Sequence, residues 1–184
     1  MDFSLNEEQT MFRDMFRSFA QKEIAKVAEH TDKNEKIPPE LLSKAAGQGM
    51  LGALVPDAFG GAALDPVSYA LLMEELGRAC MSTAVTIACH TSLVTQAVIE
   101  FGADAQKEQW LPALAAGEAI GAFALTEPDA GSDTRALSTR AVRSDGGYVL
   151  NGVKTWVTNA GIAGLFLVVA SGGGASPRAR EQGL

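Results

Sequence analysis

The spacing of the apolar residues changes once along this sequence, and that change limits what the chain can fold into. Up to about Gly117 they recur every three or four residues, as on helices; beyond it they form short runs bounded by turn residues, as in strands. Helices followed by strands, without alternation, imply segregated domains rather than a βαβ sheet. The expected class is α+β: an all-α helical bundle over residues 1–117, then an incomplete antiparallel β domain over 118–184.

In the first part, Asn6 can cap a helix with Gln9 in capping-box position, and Phe12, Met15, Phe16, Phe19, Ile24 and Val27 form its apolar stripe. Lys33 to Lys36 breaks that pattern. Pro38 and Pro39 open a helix that ends near Gly47 to Gly49, and the run to Phe59-Gly60-Gly61 reads as a loop with tight turns. Asp65-Pro66 caps a helix carrying Tyr69, Leu72, Met73 and Leu76. Ser82 is a candidate cap for a longer helix to about Phe101, apolar on most sides and so expected to be buried in the bundle. Asp104 is a candidate cap for a short helix through Trp110 and Leu111.

In the second part, apolar runs cover 120–125, 141–143, 148–154 and 165–170, and Asp145-Gly146-Gly147 between two of them is a hairpin signal. Gly172 to Gly174 and Pro177 read as a loop. So few strands leave an unpaired edge and an uncovered face, so the second domain is expected to be incomplete at Leu184.

The net charge of −7 and the lack of a basic patch argue against a nucleic-acid partner. The start of the chain has neither a secretory nor an Arg-rich transit pattern, and no apolar run reaches the roughly 18 residues of a membrane span. A cytoplasmic protein with no membrane partner is expected. Cys80 and Cys89 belong to no Cys-x-x-Cys or Cys/His cluster and read as ordinary thiols. His30 lies in a charged stretch taken as a solvated loop. His90 has no second ligand at metal spacing and reads as a satisfied core histidine; no metal site is expected.

Two stretches could carry chemistry. In Ala124 to Asp133, Gly131 permits close approach of a ligand or another backbone, and Ser132 offers a hydroxyl beside backbone N–H groups. Such a turn suits a phosphate or a flavin edge, though a plain link between strands is the commoner use of it. In Asn151 to Gly161, Trp156 and Thr158 stand two apart, on one face if the segment is a strand. An indole beside a hydroxyl makes a platform for a flat cofactor or an aromatic packed on a domain interface.

Together these stretches resemble the acyl-CoA dehydrogenase family. Leu125-Thr-Glu-Pro-x-Ala-Gly-Ser-Asp133 is similar to its signature, and Lys154-x-Trp-x-Thr-Asn159 to the companion motif. Glu7-Glu8-Gln9, Gly49 to Gly61, Gln106 to Pro112 and Leu114 to Gly117 match as well, in the same order, over essentially the whole chain.

The resemblance implies an oxidoreductase of fatty acid β-oxidation that binds FAD and oxidises an acyl-CoA thioester to its trans-2-enoyl-CoA. It implies that Phe123, Ala124, Leu125, Thr126, Gly131 and Ser132 line the flavin, with Ser132 also near the acyl-CoA substrate. Trp156, Val157 and Thr158 would lie against the flavin ring. Glu127 belongs to the structural turn and is not assigned as the base. The catalytic glutamate is expected beyond Leu184, in a C-terminal helical domain, so no catalytic residue is assigned here. An electron-transferring flavoprotein as acceptor and a homotetramer of the full-length protein are implied too. Without the C-terminal domain the 184 residues are expected to bind FAD weakly and to be inactive. The alternatives are a natural short, non-catalytic unit of the same fold, or oxidase chemistry on it. Acyl chain length is not legible.

Overall fold

The computed structural model describes residues 4–172, in two compact units. One comprises residues 4–122 and 158–165, the other 123–157 and 166–172. The segment read as a loop from Gly173 onward lies outside the described residues.

The helical unit begins with α1, Glu7–Phe19. The Asn6 side chain accepts from Gln9 N–H at 2.8 Å and the Gln9 side chain accepts from Asn6 N–H at 3.2 Å, closing the capping box. Of the sequence stripe, Phe16 and Ile24 are buried, Phe12, Phe19 and Val27 pack against them, and Met15 turns outward at 37% exposure. The helix does not stop at Phe19. It widens into a π segment, Ala20–Ile24, and resumes as α2, Ala28–Asn34, so His30 lies exposed on a helix rather than in a loop.

Helix α3, Pro39–Gly47, leads to a tight loop in which Gly52 O accepts from both Val55 N and Ala62 N. Gly61 is indispensable there: a Cβ on it would sit 2.0 Å from Val55 O. Helix α4, Pro66–Ala79, is capped by Asp65, whose carboxylate accepts from Val67 N at 2.8 Å. On its inner face Leu72 and Leu76 are fully buried in the main core with Ile24 and Ile87. The buried Glu75 carboxylate meets both nitrogens of the Arg17 fork, at 2.7 and 3.2 Å, and this pairing lowers its pKa from the usual carboxylate value.

The longest helical stretch, Met81–Phe101, consists of α5 (Met81–Ala88), a π segment (Cys89–Thr95) and α6 (Gln96–Phe101). It differs from the sequence reading in three ways. Its N-cap is Cys80, without a side-chain bond, rather than Ser82. It is buried on one face only: Thr83, Thr86, Ile87, His90, Thr91 and Val94 point inward, while Met81, Val85, Leu93 and Phe101 are exposed. The threonines can face inward because Thr91 and Thr95 hydroxyls donate to the helix's own carbonyls of Ile87 and His90, each at 2.8 Å. Finally, with 21 residues and mean hydropathy 1.3, it is long and apolar enough by composition alone to cross a membrane. The sequence reading had excluded such a run; here its inner face carries buried polar groups of the core.

Helix α7, Asp104–Ala115, follows, running past Leu111 through Pro112. Its N-cap is Ala103, not Asp104, and Gln106 Oε1 accepts from Ala103 N at 2.9 Å.

The strands are β1 (Gly121–Ala124), β2 (Arg140–Ser144), β3 (Gly147–Asn151) and β4 (Leu165–Val168). β2 and β3 form the antiparallel hairpin expected at Asp145-Gly146-Gly147, with Ser144 opposite Gly147 and Arg140 opposite Asn151. β1 pairs with β4: Ile120 O accepts from Leu165 N at 3.2 Å and Ala124 O from Val169 N at 3.0 Å. These bonds advance along both strands together, so this pair is parallel, which the long connection between them permits.

Candidate functional site

The residues singled out as flavin-facing fall mainly in the strand unit. β1 delivers Phe123 and Ala124, and the chain then leaves the ladder at Leu125 and Thr126. Glu127 and Ala130 close a tight turn by bonding both ways, Glu127 N to Ala130 O at 2.9 Å and Ala130 N to Glu127 O at 3.2 Å. Pro128 and Asp129 form its exposed tip, and Gly131 and Ser132 follow, also exposed.

Inside that loop is a buried polar clasp. One oxygen of Glu127 accepts from Ser138 N at 2.6 Å and Ser138 Oγ at 2.7 Å. The other accepts from Thr139 N at 2.9 Å and Lys154 Nζ at 2.8 Å. Lys154 Nζ also donates to Leu125 O at 2.7 Å, and Thr155 N donates to Thr126 O at 2.9 Å. The Lys154 ammonium first, then the Ser138 and Thr139 donors, hold the Glu127 carboxyl well below the usual carboxylate range. A carboxylate held by four donors is a poor proton acceptor and a strong anchor. Glu127 therefore pins the Leu125–Ser132 loop to the Lys154 segment.

The Lys154 segment is not a strand. β3 stops at Asn151, where its partner strand is drawn away. Ser138 N–H, the next donor in the antiparallel alternation, is taken by Glu127 at 2.6 Å, while Thr139 faces the other side and its carbonyl accepts from Ser171 N at 2.8 Å. The expectation that Trp156 and Thr158 share one strand face is thus overturned. Trp156 instead adopts left-handed backbone, φ 57°, and its side chain is 92% exposed. Left-handed backbone is strained for a bulky residue, and it turns the indole outward one residue from the Thr155–Thr126 bond.

Among the nine residues, Ala124 is buried, and Phe123, Leu125, Thr126 and Val157 are half-buried. Thr158 is half-buried and belongs to the helical unit, at the start of a turn; the other eight lie in the strand unit. Sequence reasoning assigned no role to Lys154, Ser138 or Thr139. A lysine in a stretch otherwise free of charge, Asn151 to Gly164, was the available signal for the first. Among the described residues no cluster of His, Cys, Asp and Glu could hold a metal ion.

His90 is fully buried. Its Nδ1 accepts from Gly121 N at 2.9 Å, and its Nε2 donates to Leu114 O at 3.1 Å. An amide N–H can only donate and a carbonyl only accept, so these partners fix the neutral Nε2–H tautomer. Burial pushes its pKa down to about 4.

Fold and loop together define a class: a helical unit followed by a strand unit that presents a clasped loop and an outward indole. Residues 6–118 match the N-terminal domain of acyl-CoA dehydrogenases, and residues 122–184 match their middle domain. The chain belongs to the acyl-CoA dehydrogenase family. An acyl-CoA dehydrogenase of Bacillus subtilis (strain 168) is 42% identical over 166 residues, 90% of this chain and 44% of the relative. Butyryl-CoA dehydrogenase from Megasphaera elsdenii superposes with a TM-score of 0.85 at 36% identity, over 92% of this chain and 45% of that one. A glutaryl-CoA dehydrogenase from Mycobacterium smegmatis in complex with FADH2 gives 0.87 at 33% identity, over 91% and 43%. The chain thus spans less than half the length of these relatives.

Proposed function

We propose that this chain supplies the flavin-facing loop and helical domain of an FAD-dependent acyl-CoA dehydrogenase. The observation that carries the reading is the outward Trp156, tied through Thr155 and Lys154 to the loop that ends in Gly131 and Ser132. That arrangement fits a flavin. The exposed indole offers a flat apolar face, and no group among the described residues accepts from the N–H of Thr126, Gly131 or Ser132. Those donors suit the polar edge and pyrophosphate of the cofactor.

When bound, the flavin supplies a two-electron acceptor for converting an acyl-CoA thioester to its trans-2-enoyl-CoA. The chain's own part is to bind and orient. The clasp fixes the loop, Ser132 would stand near cofactor and thioester, and Trp156 would lie against the ring. Glu127 is committed to the clasp, so the base that removes the α-proton is another residue. The named relatives support a short-chain acyl-CoA substrate, and an electron-transferring flavoprotein is the proposed acceptor.

The test is an anaerobic titration of the intact, FAD-loaded protein with butyryl-CoA. Bleaching of the flavin absorbance is expected, and Trp156→Ala should weaken FAD binding by about tenfold, an aromatic contact's worth. A flavin that stays oxidised with every acyl-CoA offered would falsify the reading.

A further inference from the structure

The Asn159 that closes the Lys154 motif has no part in the flavin-facing loop, and its surroundings give it another task. Its Nδ2 donates to Gly121 O and to Thr86 O, each at 3.0 Å, from a left-handed backbone position, φ 70°. The N–H of the same glycine donates to His90 Nδ1 at 2.9 Å. Thr86, His90 and Val94 stand four residues apart, on one face of the Met81–Phe101 stretch. His90 and Val94 reach Gly121 directly, where a Cβ would lie 2.7 Å from Val94 Cβ, and Thr86 O shares the Asn159 donor with Gly121 O. Only glycine lets the strand entry come this close, and both polar groups of that residue are then held by side chains from distant parts of the sequence.

We propose that His90 and Asn159 are positioning residues that clamp Gly121 from both sides and so hold the entry of β1. That strand goes on to carry Phe123 and Ala124. The proposal rests on the flavin reading for its purpose, but the clamp itself is defined by bonds within the helical unit. His90 contributes an acceptor, which only the neutral ring has at Nδ1. Asn159 contributes donors, which a carboxylate in its place would lack. Asparagine also tolerates the left-handed backbone the turn requires, so one residue serves both needs.

The test separates side chain from backbone. Asn159→Gly keeps the left-handed conformation and removes the donors. His90→Phe keeps a ring and removes the acceptor, and His90→Asn returns an oxygen near the former Nδ1. Amide hydrogen exchange is followed in the intact protein, and FAD affinity is measured on the same samples. Asn159→Gly and His90→Phe should each speed exchange across Ile120–Leu125 by about tenfold, one hydrogen bond's worth, and weaken FAD binding by a similar factor. His90→Asn should restore most of the protection.

Unchanged exchange in that segment overturns the clamp, as does an equal rise in α1 and α4, which would mean general loosening of the core. So does failure of His90→Asn to restore protection while Asn159→Gly is silent. Exchange decides the clamp whether or not flavin binds. A wild type that protects this segment but takes up no FAD overturns the functional reading and leaves the clamp standing.

Discussion

In the helical unit Ile24, Leu72, Leu76 and Ile87 are fully buried, whereas in the strand unit all five residues of β3 are exposed. One unit is held by apolar surface removed from water. The other, in the described residues, is held around its loop by a carboxylate, an ammonium, a hydroxyl and backbone amides. The difference teaches where order resides. The helical core should be sensitive to lost volume, and the loop to a lost charge.

The largest effect should follow from hollowing the core. Leu76→Ala removes a fully buried side chain and should cost about 2–5 kcal/mol, read as a lower denaturation midpoint with an unchanged slope. A loss below about 1 kcal/mol would mean that the helical unit collapses onto the vacancy, and the contrast between the units would weaken.

Acid should divide the units by a different route. His90 is held neutral by burial, with its pKa lowered from 6.5 to about 4. Because the folded value is the lower one, its contribution is complete above the unfolded value and is lost as pH falls toward the folded one. That amounts to about 3 kcal/mol between roughly pH 6.5 and 4. Glu127 is also shifted down, by the Lys154 ammonium first, but it starts from the ordinary carboxylate range. Its contribution is complete above that range and is lost only as pH falls below it. Amide exchange against pH should therefore loosen Gly121 first and the Leu125–Thr139 loop later. His90→Asn should abolish the first step and leave the second. A single step common to both segments would show that the two groups do not report on separate units.

Much of the helical unit was legible because its signals are local. Asn6 and Asp65 cap where their side chains permit, and Leu72 and Leu76 share a face by spacing alone. The hairpin was legible for the same reason, in Asp145-Gly146-Gly147. The π segments were not, since a helix bonded five residues back has no apolar signature of its own. Nor was the clasp, which joins Glu127 to Lys154 across an intervening hairpin, or the clamp, which joins His90 and Asn159 to Gly121. The misreading of Trp156 as a strand residue has the same origin. Ladder pairing ends at Asn151, where Glu127 takes Ser138 N–H, the next donor in register, a fact of tertiary structure.

The smallest effect should come from the hairpin. Val149 is 49% exposed in the middle of β3, opposite Val142, which is 55% exposed. Val149→Thr keeps the branched shape suited to a strand and exchanges a methyl for a hydroxyl that water can reach. A change within about 0.5 kcal/mol is expected, measured by the same denaturation as Leu76→Ala. The comparison turns on this pair of substitutions. If Val149→Thr costs as much as hollowing the core, the face of β3 is covered in the intact protein. The strand unit would then owe its order to apolar burial as well, and the clasp would be an aid to the loop rather than its foundation.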